Sequence, residues 1–141
     1  MGVREGAGFA WKVAKAFVRN YREAGEEEAA RRTTVDGEKW NDVYVYDPRP
    51  VMKMRKGDRF ELECLDRDLR MRSTVTGTVW DSAVNGDVPV AYRGRPIGFL
   101  SGRDACRKVR ELQAEGRQVF LDARCTSAAG KRGYPLLSAR G

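Results

Sequence analysis

The sequence of 141 residues contains no histidine and only three cysteines. Without histidine, the usual general base near neutral pH is missing, and so is every Ser-His or Cys-His pair for nucleophilic catalysis. Cys64, Cys106 and Cys125 lie far apart and form no CxxC pair, so the spacing typical of a zinc site is absent. We therefore expect no metal, no cofactor and no enzymatic activity. The three thiols are expected to be buried and free, in a reducing cytoplasm.

Long hydrophobic runs are lacking as well. No stretch of about 18 apolar residues occurs, so we expect no membrane span. The first residues, MGVREGAGFAWKVAKAF, contain neither a continuous apolar segment nor a small-residue cleavage site. A signal peptide is therefore not expected.

The net charge of +7 is concentrated in one part of the chain. Residues 1–38 and residues 39–92 each contain equal numbers of basic and acidic side chains. Residues 93–141 contain eleven basic and four acidic residues, which accounts for the whole excess. Twenty of the 27 basic residues are arginine, which binds phosphate in a planar, bidentate manner, although a GC-rich genome favours arginine too. The segregation of charge favours a polyanionic partner.

The amino-terminal part is predicted to be helical. Apolar residues recur at three- and four-residue steps within residues 7–32, which places them on one helical face. This face either packs on the core or, through residues 9–24, docks on a partner or on a second copy of the chain. We expect residues 1–38 to form this amphipathic helix and a connector, and residues 39–141 to form a small β-rich domain.

Alternating apolar and polar residues predict several short strands in the remainder. The predicted strands are NDVYVYD (41–47), FELEC (60–64), STVTGTVW (73–80), VPVAY (88–92), PIGFL (96–100), RQVFLDARC (117–125) and YPLLS (134–138). Turns are expected at Asp36-Gly37, Asn85-Gly86 and Arg93-Gly94. Residues 74–100 would then form a three-stranded meander, with Gly77 marking a bulge or a close backbone approach.

A second helix is expected after the last strand of this meander. Ser101 is predicted as its N-cap, with Asp104 completing a capping box, and Gly116 as its end. Many short strands with two helices indicate the α+β class. We predict a small, strongly bent antiparallel sheet or barrel, similar in size to OB or SH3 domains, with an amino-terminal helix and one helix between strands.

Two motifs with possible chemistry are rejected on their details. AAGKRG (128–133) resembles a phosphate-binding loop, but the first glycine is missing and arginine follows the lysine. The acidic pairs Glu61/Glu63 and Asp66/Asp68 have the composition of a metal site, but basic residues interleave with them. A solvated loop and a solvated strand face explain these motifs better.

The basic third of the chain supplies the candidate binding residues. Proteins that bind single strands use cationic grooves for phosphates and exposed aromatic rings for bases. The expected phosphate contacts are Arg93, Arg95, Arg103, Arg107, Lys131 and Arg132. The expected stacking residues are Tyr92 and Tyr134.

From residue 85 onward the chain resembles a HIRAN domain, a small barrel attached to some helicase-like and nuclease proteins and also found alone in bacteria. NGDVPVAY (85–92) is similar to the Asn-Pro-x-Asp stretch of that family, and IGFL (97–100) matches its Ile-Gly-Tyr/Phe-Leu segment. The proline after the asparagine is absent here, and the spacing to Asp87 is one residue shorter. The resemblance covers residues 58–140. It implies a barrel related to single-strand binders, with Asp87 and Tyr92 near the nucleic-acid face.

Together these features predict a non-enzymatic basic domain that binds single-stranded nucleic acid or DNA ends. The alternative is a protein-interaction or structural module. It would self-associate through the amino-terminal helix or a sheet edge, and its positive charge would serve solubility alone.

Overall fold

Nine strands and two α-helices lie within residues 31–35 and 37–141, which this computed structural model describes. The strands are β1 (Arg32–Val35), β2 (Trp40–Val45), β3 (Arg59–Cys64), β4 (Arg70–Arg72), β5 (Val79–Asp81), β6 (Val88–Tyr92), β7 (Arg95–Leu100), β8 (Gln118–Ser127) and β9 (Leu136–Arg140). The helices are α1 (Ser82–Asn85) and α2 (Arg103–Ala114), and 3₁₀ turns span Arg49–Val51 and Gly130–Arg132.

Six strands close into an antiparallel barrel. Their order is β8-β3-β6-β7-β2-β9, and β9 pairs back onto β8. Strand β1 adjoins β8, and β4 pairs with β5 in a separate two-stranded sheet. The predicted small barrel is therefore confirmed.

The barrel interior is filled by the apolar residues of alternating strands. Leu62 of β3 and Leu121 of β8 face one another across the ladder and are fully buried. Val109 of α2 is also fully buried in the same cluster, so this helix packs on the core through one face. Because side chains alternate between faces along a strand, the period-2 pattern in FELEC and RQVFLDARC predicted most of the buried residues of β3 and β8. Two phenylalanines depart from it: Phe60 is only partly buried, and Phe120, on the other face of β8, is buried.

The hairpin of β6 and β7 matches its prediction. Arg93 and Gly94 have φ values of 50° and 83°, which makes the connection a tight turn with two left-handed residues. Such turns follow the twist of the flanking strands.

The predicted meander over residues 74–100 is wrong in its first half. Ser73 Oγ accepts hydrogen bonds from the backbone N–H groups of Val75 and Thr76, which folds this segment into a turn. Only Val79–Asp81 forms a strand there, and it pairs with β4 instead of β6. Gly77, expected within a strand, has a φ of 77° and belongs to the turn.

Two expectations based on single residues are also wrong. Asn85 ends the short helix α1, whose C-cap Gly86 has a φ of 79°, so Asn85-Gly86 is not a hairpin turn. Ser101 is not an N-cap: its hydroxyl donates to the carbonyl oxygen of Asp42 at 2.7 Å, and Gly102 occupies the cap position of α2. Gly116, with a φ of 83°, follows the end of α2 as predicted.

The helix predicted over residues 7–32 lies outside the described residues except at its end, where β1 already begins at Arg32. The turn predicted at Asp36-Gly37 involves a residue outside the described ranges too.

Gly98 of β7 lies where two strand backbones come unusually close. A Cβ atom at this position would overlap the carbonyl oxygen of Tyr44 on the paired strand β2. Neither backbone moves without breaking the ladder, so Gly98→Ala is expected to destabilise the fold by about 1–3 kcal/mol or more. Urea denaturation measures the change. Gly77→Ala, at a left-handed glycine with open space around it, is the comparison, and an equal or smaller loss at Gly98 would contradict the overlap.

Candidate functional site

Three arginines surround one tryptophan on the outer face of the barrel. The Cζ atom of Arg124 lies 3.9 Å from the centre of the Trp40 ring. The Cζ atoms of Arg140 and Arg59 lie 5.3 and 5.5 Å from it, within the range of cation–π contacts. Asp122 accepts a hydrogen bond from Arg59 and lies 3.8 Å from Nη1 of Arg140. The arginine–tryptophan surface is defined here as Trp40, Arg59, Asp122, Arg124 and Arg140.

Four strands bring these residues together through the register of the barrel. Trp40 of β2 lies opposite Arg140 of β9, and Arg59 of β3 lies opposite Arg124 of β8. Strands β8 and β9 are paired in turn, with Arg124 opposite Ser138. Since the neighbouring residues in each strand face the core, these side chains lie on the outer face.

Arg124 differs from the other two arginines of this surface. Its Nε donates to Ser138 Oγ at 3.4 Å, and within the described residues it meets no carboxylate, whereas Arg59 and Arg140 share Asp122. Within the described residues its Nη1 and Nη2 groups make no hydrogen bond, so these N–H groups remain available beside the Trp40 ring. That geometry suits a bidentate contact with phosphate.

A groove of about 490 Å³ lies on the same outer face. We define the tyrosine groove by six of its lining residues: Tyr44, Tyr46, Ser73, Thr126, Tyr134 and Leu136. Tyr44 and Leu136 are exposed, at 51% and 43% of their residue surface. Its volume falls in the range of about 300–1,000 Å³ typical of small-molecule sites.

The tyrosines of the groove rest on a packed aromatic cluster. The rings of Tyr44 and Tyr46 lie 5.2 and 5.8 Å from that of Phe99. Phe99 in turn stacks on Trp80 at 4.5 Å, and Nε1 of this buried tryptophan donates to Asp87 Oδ2 at 3.1 Å. On its β2 side the groove is therefore backed by closely packed aromatic rings.

The groove and the arginine–tryptophan surface are continuous. The outer face of β2 contains Trp40, Asp42 and Tyr44 at every second position, and Asp42 also lines the groove. At about 3.4 Å per residue, the four steps from Trp40 to Tyr44 span about 14 Å. On β8 the two surfaces are closer in sequence: Arg124 belongs to the arginine–tryptophan surface, and Thr126, two residues later, lines the groove.

Two of the predicted site residues, Tyr92 and Arg93, share a pocket with Arg59 of the arginine–tryptophan surface. They line a shallow pocket of about 370 Å³ together with Arg59, Glu61 and Glu63. The ring of Tyr92 meets Phe60 edge-on at 5.6 Å and lies 5.2 Å from Cζ of Arg93. The two carboxylates make this pocket less suitable for phosphate than the arginine–tryptophan surface.

Three further predicted arginines lie elsewhere. Arg103 and Arg107 lie on α2, where Arg107 pairs with Asp104 at 2.9 Å and with Glu111 at 3.9 Å. Arg95 begins β7, and its charge helps to lower the pKa of Asp47, mainly lowered by hydrogen bonds from Arg49.

The remaining predicted residues lie in the groove, in the exposed turn beside it and next to Trp80. Tyr134 lines the tyrosine groove, and Cζ of Arg132 lies 5.7 Å from its ring. Arg132 also donates to Ser127 Oγ at 2.7 Å, and Lys131 is exposed in the same 3₁₀ turn. The carboxylate of Asp87 accepts the hydrogen bond from Trp80 Nε1, which is a structural contact.

The nine predicted residues thus do not form one site. The structure instead brings together Trp40, Arg59, Arg124 and Arg140, none of which was a predicted site residue. Of the three arginines, only Arg124 lies within a predicted strand, at an outward position of RQVFLDARC. Arg59 and Arg140 lie just outside the predicted strands FELEC (60–64) and YPLLS (134–138). The missing information was the pairing of the strands.

All three thiols are free, as predicted, and Cys64 and Cys125 are buried while Cys106 is partly so. Burial raises the pKa of each thiol. Among residues 31–35 and 37–141, no group of three or more potential ligands is arranged to hold a metal ion. No helix in the described part has the length and apolar character needed to cross a membrane.

The chain was compared with protein-family models, with curated proteins and with solved structures, and it significantly matches none of them. The resemblance to a HIRAN domain is not tested by these comparisons and stays a prediction.

Proposed function

We propose that this barrel binds single-stranded nucleic acid and performs no chemistry on it. The observation that carries the proposal is the clustering of Arg59, Arg124 and Arg140 around the Trp40 ring. In this arrangement Trp40 orients guanidinium groups that contact phosphates. The cytoplasm, where thiols stay reduced, is the compartment we propose for it.

Single strands are favoured over duplex because exposed aromatic rings accompany these arginines. Tyr44 lies on the same face, and Tyr92 lies beside Arg59. Bases stack on such rings only when they are unpaired. The excess of seven positive charges, all in residues 93–141, attracts the same ligand from a distance.

Fluorescence anisotropy with a labelled single-stranded oligonucleotide tests the proposal. Each phosphate contact with a single strand contributes about −0.7 to the slope of log affinity against log salt, so three contacts predict about 20-fold weaker binding at 200 mM than at 50 mM NaCl. A duplex of the same sequence is expected to bind more weakly than the single strand. Absence of binding at 50 mM NaCl would refute the proposal.

Self-association is the alternative, and it stays a prediction because its main element lies outside the described residues. Size-exclusion chromatography over a range of protein concentrations separates the two functions. A mass that rises with concentration, without any nucleic-acid binding, would favour the alternative.

A further inference from the structure

The tyrosine groove offers chemistry that the arginine–tryptophan surface lacks. Among the described residues that line it, none is basic and Asp42 is the one carboxylate. Most of its surface is apolar or aromatic, with hydroxyl groups from serine, threonine and tyrosine. Such a lining suits a flat, uncharged group with polar edges.

The phenol hydroxyls of the groove are available to a ligand. Those of Tyr44, Tyr46 and Tyr134 make no hydrogen bond within the part of the chain that the structure describes. By contrast, Thr126 Oγ1 donates to the carbonyl oxygen of Leu136 at 3.2 Å, and Ser73 Oγ accepts two backbone N–H groups. Tyr44 therefore combines an exposed ring with an unused hydroxyl, and the half-buried Tyr46 and Tyr134 add two further unused hydroxyls.

The position of the groove connects it to the arginines. Thr126 lies two residues after Arg124 in β8, where the pairing with β9 is irregular, and it lines the groove. Two residues of an extended strand span about 7 Å. When a nucleic-acid strand places one phosphate on Arg124, a neighbouring nucleotide of that nucleic acid is therefore within reach of the groove. The two surfaces complement the two halves of a nucleotide, the charged backbone and the uncharged base.

We propose that the tyrosine groove holds one unstacked nucleobase of the strand whose phosphates lie on the arginine–tryptophan surface. This inference rests on the proposed function. The base stacks on Tyr44, and its edge meets the tyrosine hydroxyls. Since every base has a π-face, stacking on Tyr44 does not by itself select among the bases.

Tyr44→Leu tests the stacking, because leucine removes the ring but leaves an apolar side chain at this exposed position. Affinity for a single-stranded oligonucleotide is expected to fall about 10-fold, in the range seen when stacking side chains are removed. Tyr44→Phe keeps the ring and is expected to retain most of the affinity. Equal thermal unfolding of both variants and the unchanged protein checks that the fold is intact.

An oligonucleotide bound in one register, with an abasic site at each position in turn, completes the test. One position is expected to lose about as much affinity as Tyr44→Leu does. At that position the two losses should not add, because both remove the same contact. Equal losses at all positions, or additive losses, would overturn the inference.

Failure of the inference is distinguishable from failure of the proposed function. If Tyr44→Leu leaves affinity unchanged while binding stays strongly dependent on salt, the groove holds no base and has another occupant, such as a small apolar ligand or a protein side chain. The function proposed for the arginines would then stand. If the unchanged protein binds no oligonucleotide at low salt, both proposals fail.

Discussion

Arg124→Gln is expected to weaken the binding of single-stranded DNA about 10-fold at 50 mM NaCl, because charge-assisted hydrogen bonds are worth about 1.5–3 kcal/mol. It should also reduce the slope of log affinity against log salt by about 0.7, the contribution of one phosphate. Arg124 lies closest to the Trp40 ring and shares no carboxylate within the described residues. Its loss therefore breaks no ion pair, and the stability of the fold should change little. Anisotropy titrations at several salt concentrations measure both effects.

Arg67→Gln is the matched control for this prediction. It removes one positive charge from an exposed arginine in the segment that follows β3. Arg59 begins β3, whereas Arg67 lies beyond the last residue of that strand. We expect less than a two-fold change, since a distant surface charge acts only through the screened field. Equal losses for the two variants would show that binding follows net charge, and the arginine–tryptophan surface would not be the site. Arg124→Lys keeps the charge but not the planar group. Its affinity for single-stranded DNA should lie between that of Arg124→Gln and that of the unchanged protein.

Trp80→Ala is expected to lower the free energy of unfolding by about 3–5 kcal/mol, as for other buried aromatic residues replaced by alanine. Its side chain is 1% exposed and stacks on Phe99 with an interplanar angle of 17°. Its Nε1–H also satisfies the partly buried carboxylate of Asp87. The variant loses the ring that joins the β4–β5 sheet to the outer face of the barrel. Urea denaturation measures the loss.

Trp80→Phe separates packing from hydrogen bonding. Phenylalanine keeps an aromatic ring against Phe99 but leaves Asp87 without its N–H donor. We expect it to lose less than half as much stability as alanine. A loss below about 1 kcal/mol for Trp80→Ala would contradict the role of this residue, since a buried aromatic side chain normally contributes several times more.

Strands and the tight turn between β6 and β7 were predictable because their signals are local. In FELEC and RQVFLDARC the alternation of apolar and polar residues defines the strand and its buried face at once. Arg93-Gly94 lies between two such patterns and needs two left-handed residues, for which glycine is well suited. None of these features requires knowledge of which strand is the neighbour.

The wrong predictions have another cause in common, a side-chain hydrogen bond that competes with the expected structure. Ser101 has the pattern of an N-cap, but its hydroxyl is taken by the carbonyl oxygen of Asp42 on a distant strand. Asn85-Gly86 has the composition of a hairpin turn, but Gly86 ends a helical turn that Asp81 begins by accepting the N–H of Ala83. The β-rich pattern of STVTGTVW yields to hydrogen bonds of Ser73 within its own turn. In each case a competing hydrogen bond decided the local structure.

The sequence by itself determined the alternation of the strands, the free thiols and the placement of every excess positive charge after residue 92. Tertiary structure alone decided where those charges meet an aromatic ring. Trp40 lies at one end of the described chain and Arg140 at the other, and barrel closure makes them opposite partners in β2 and β9. Register across closed strands depends on how six apolar faces fill a single interior, so no local pattern specifies it. The tryptophan and its three arginines are neighbours because the core is packed, and that packing is a property of the whole fold.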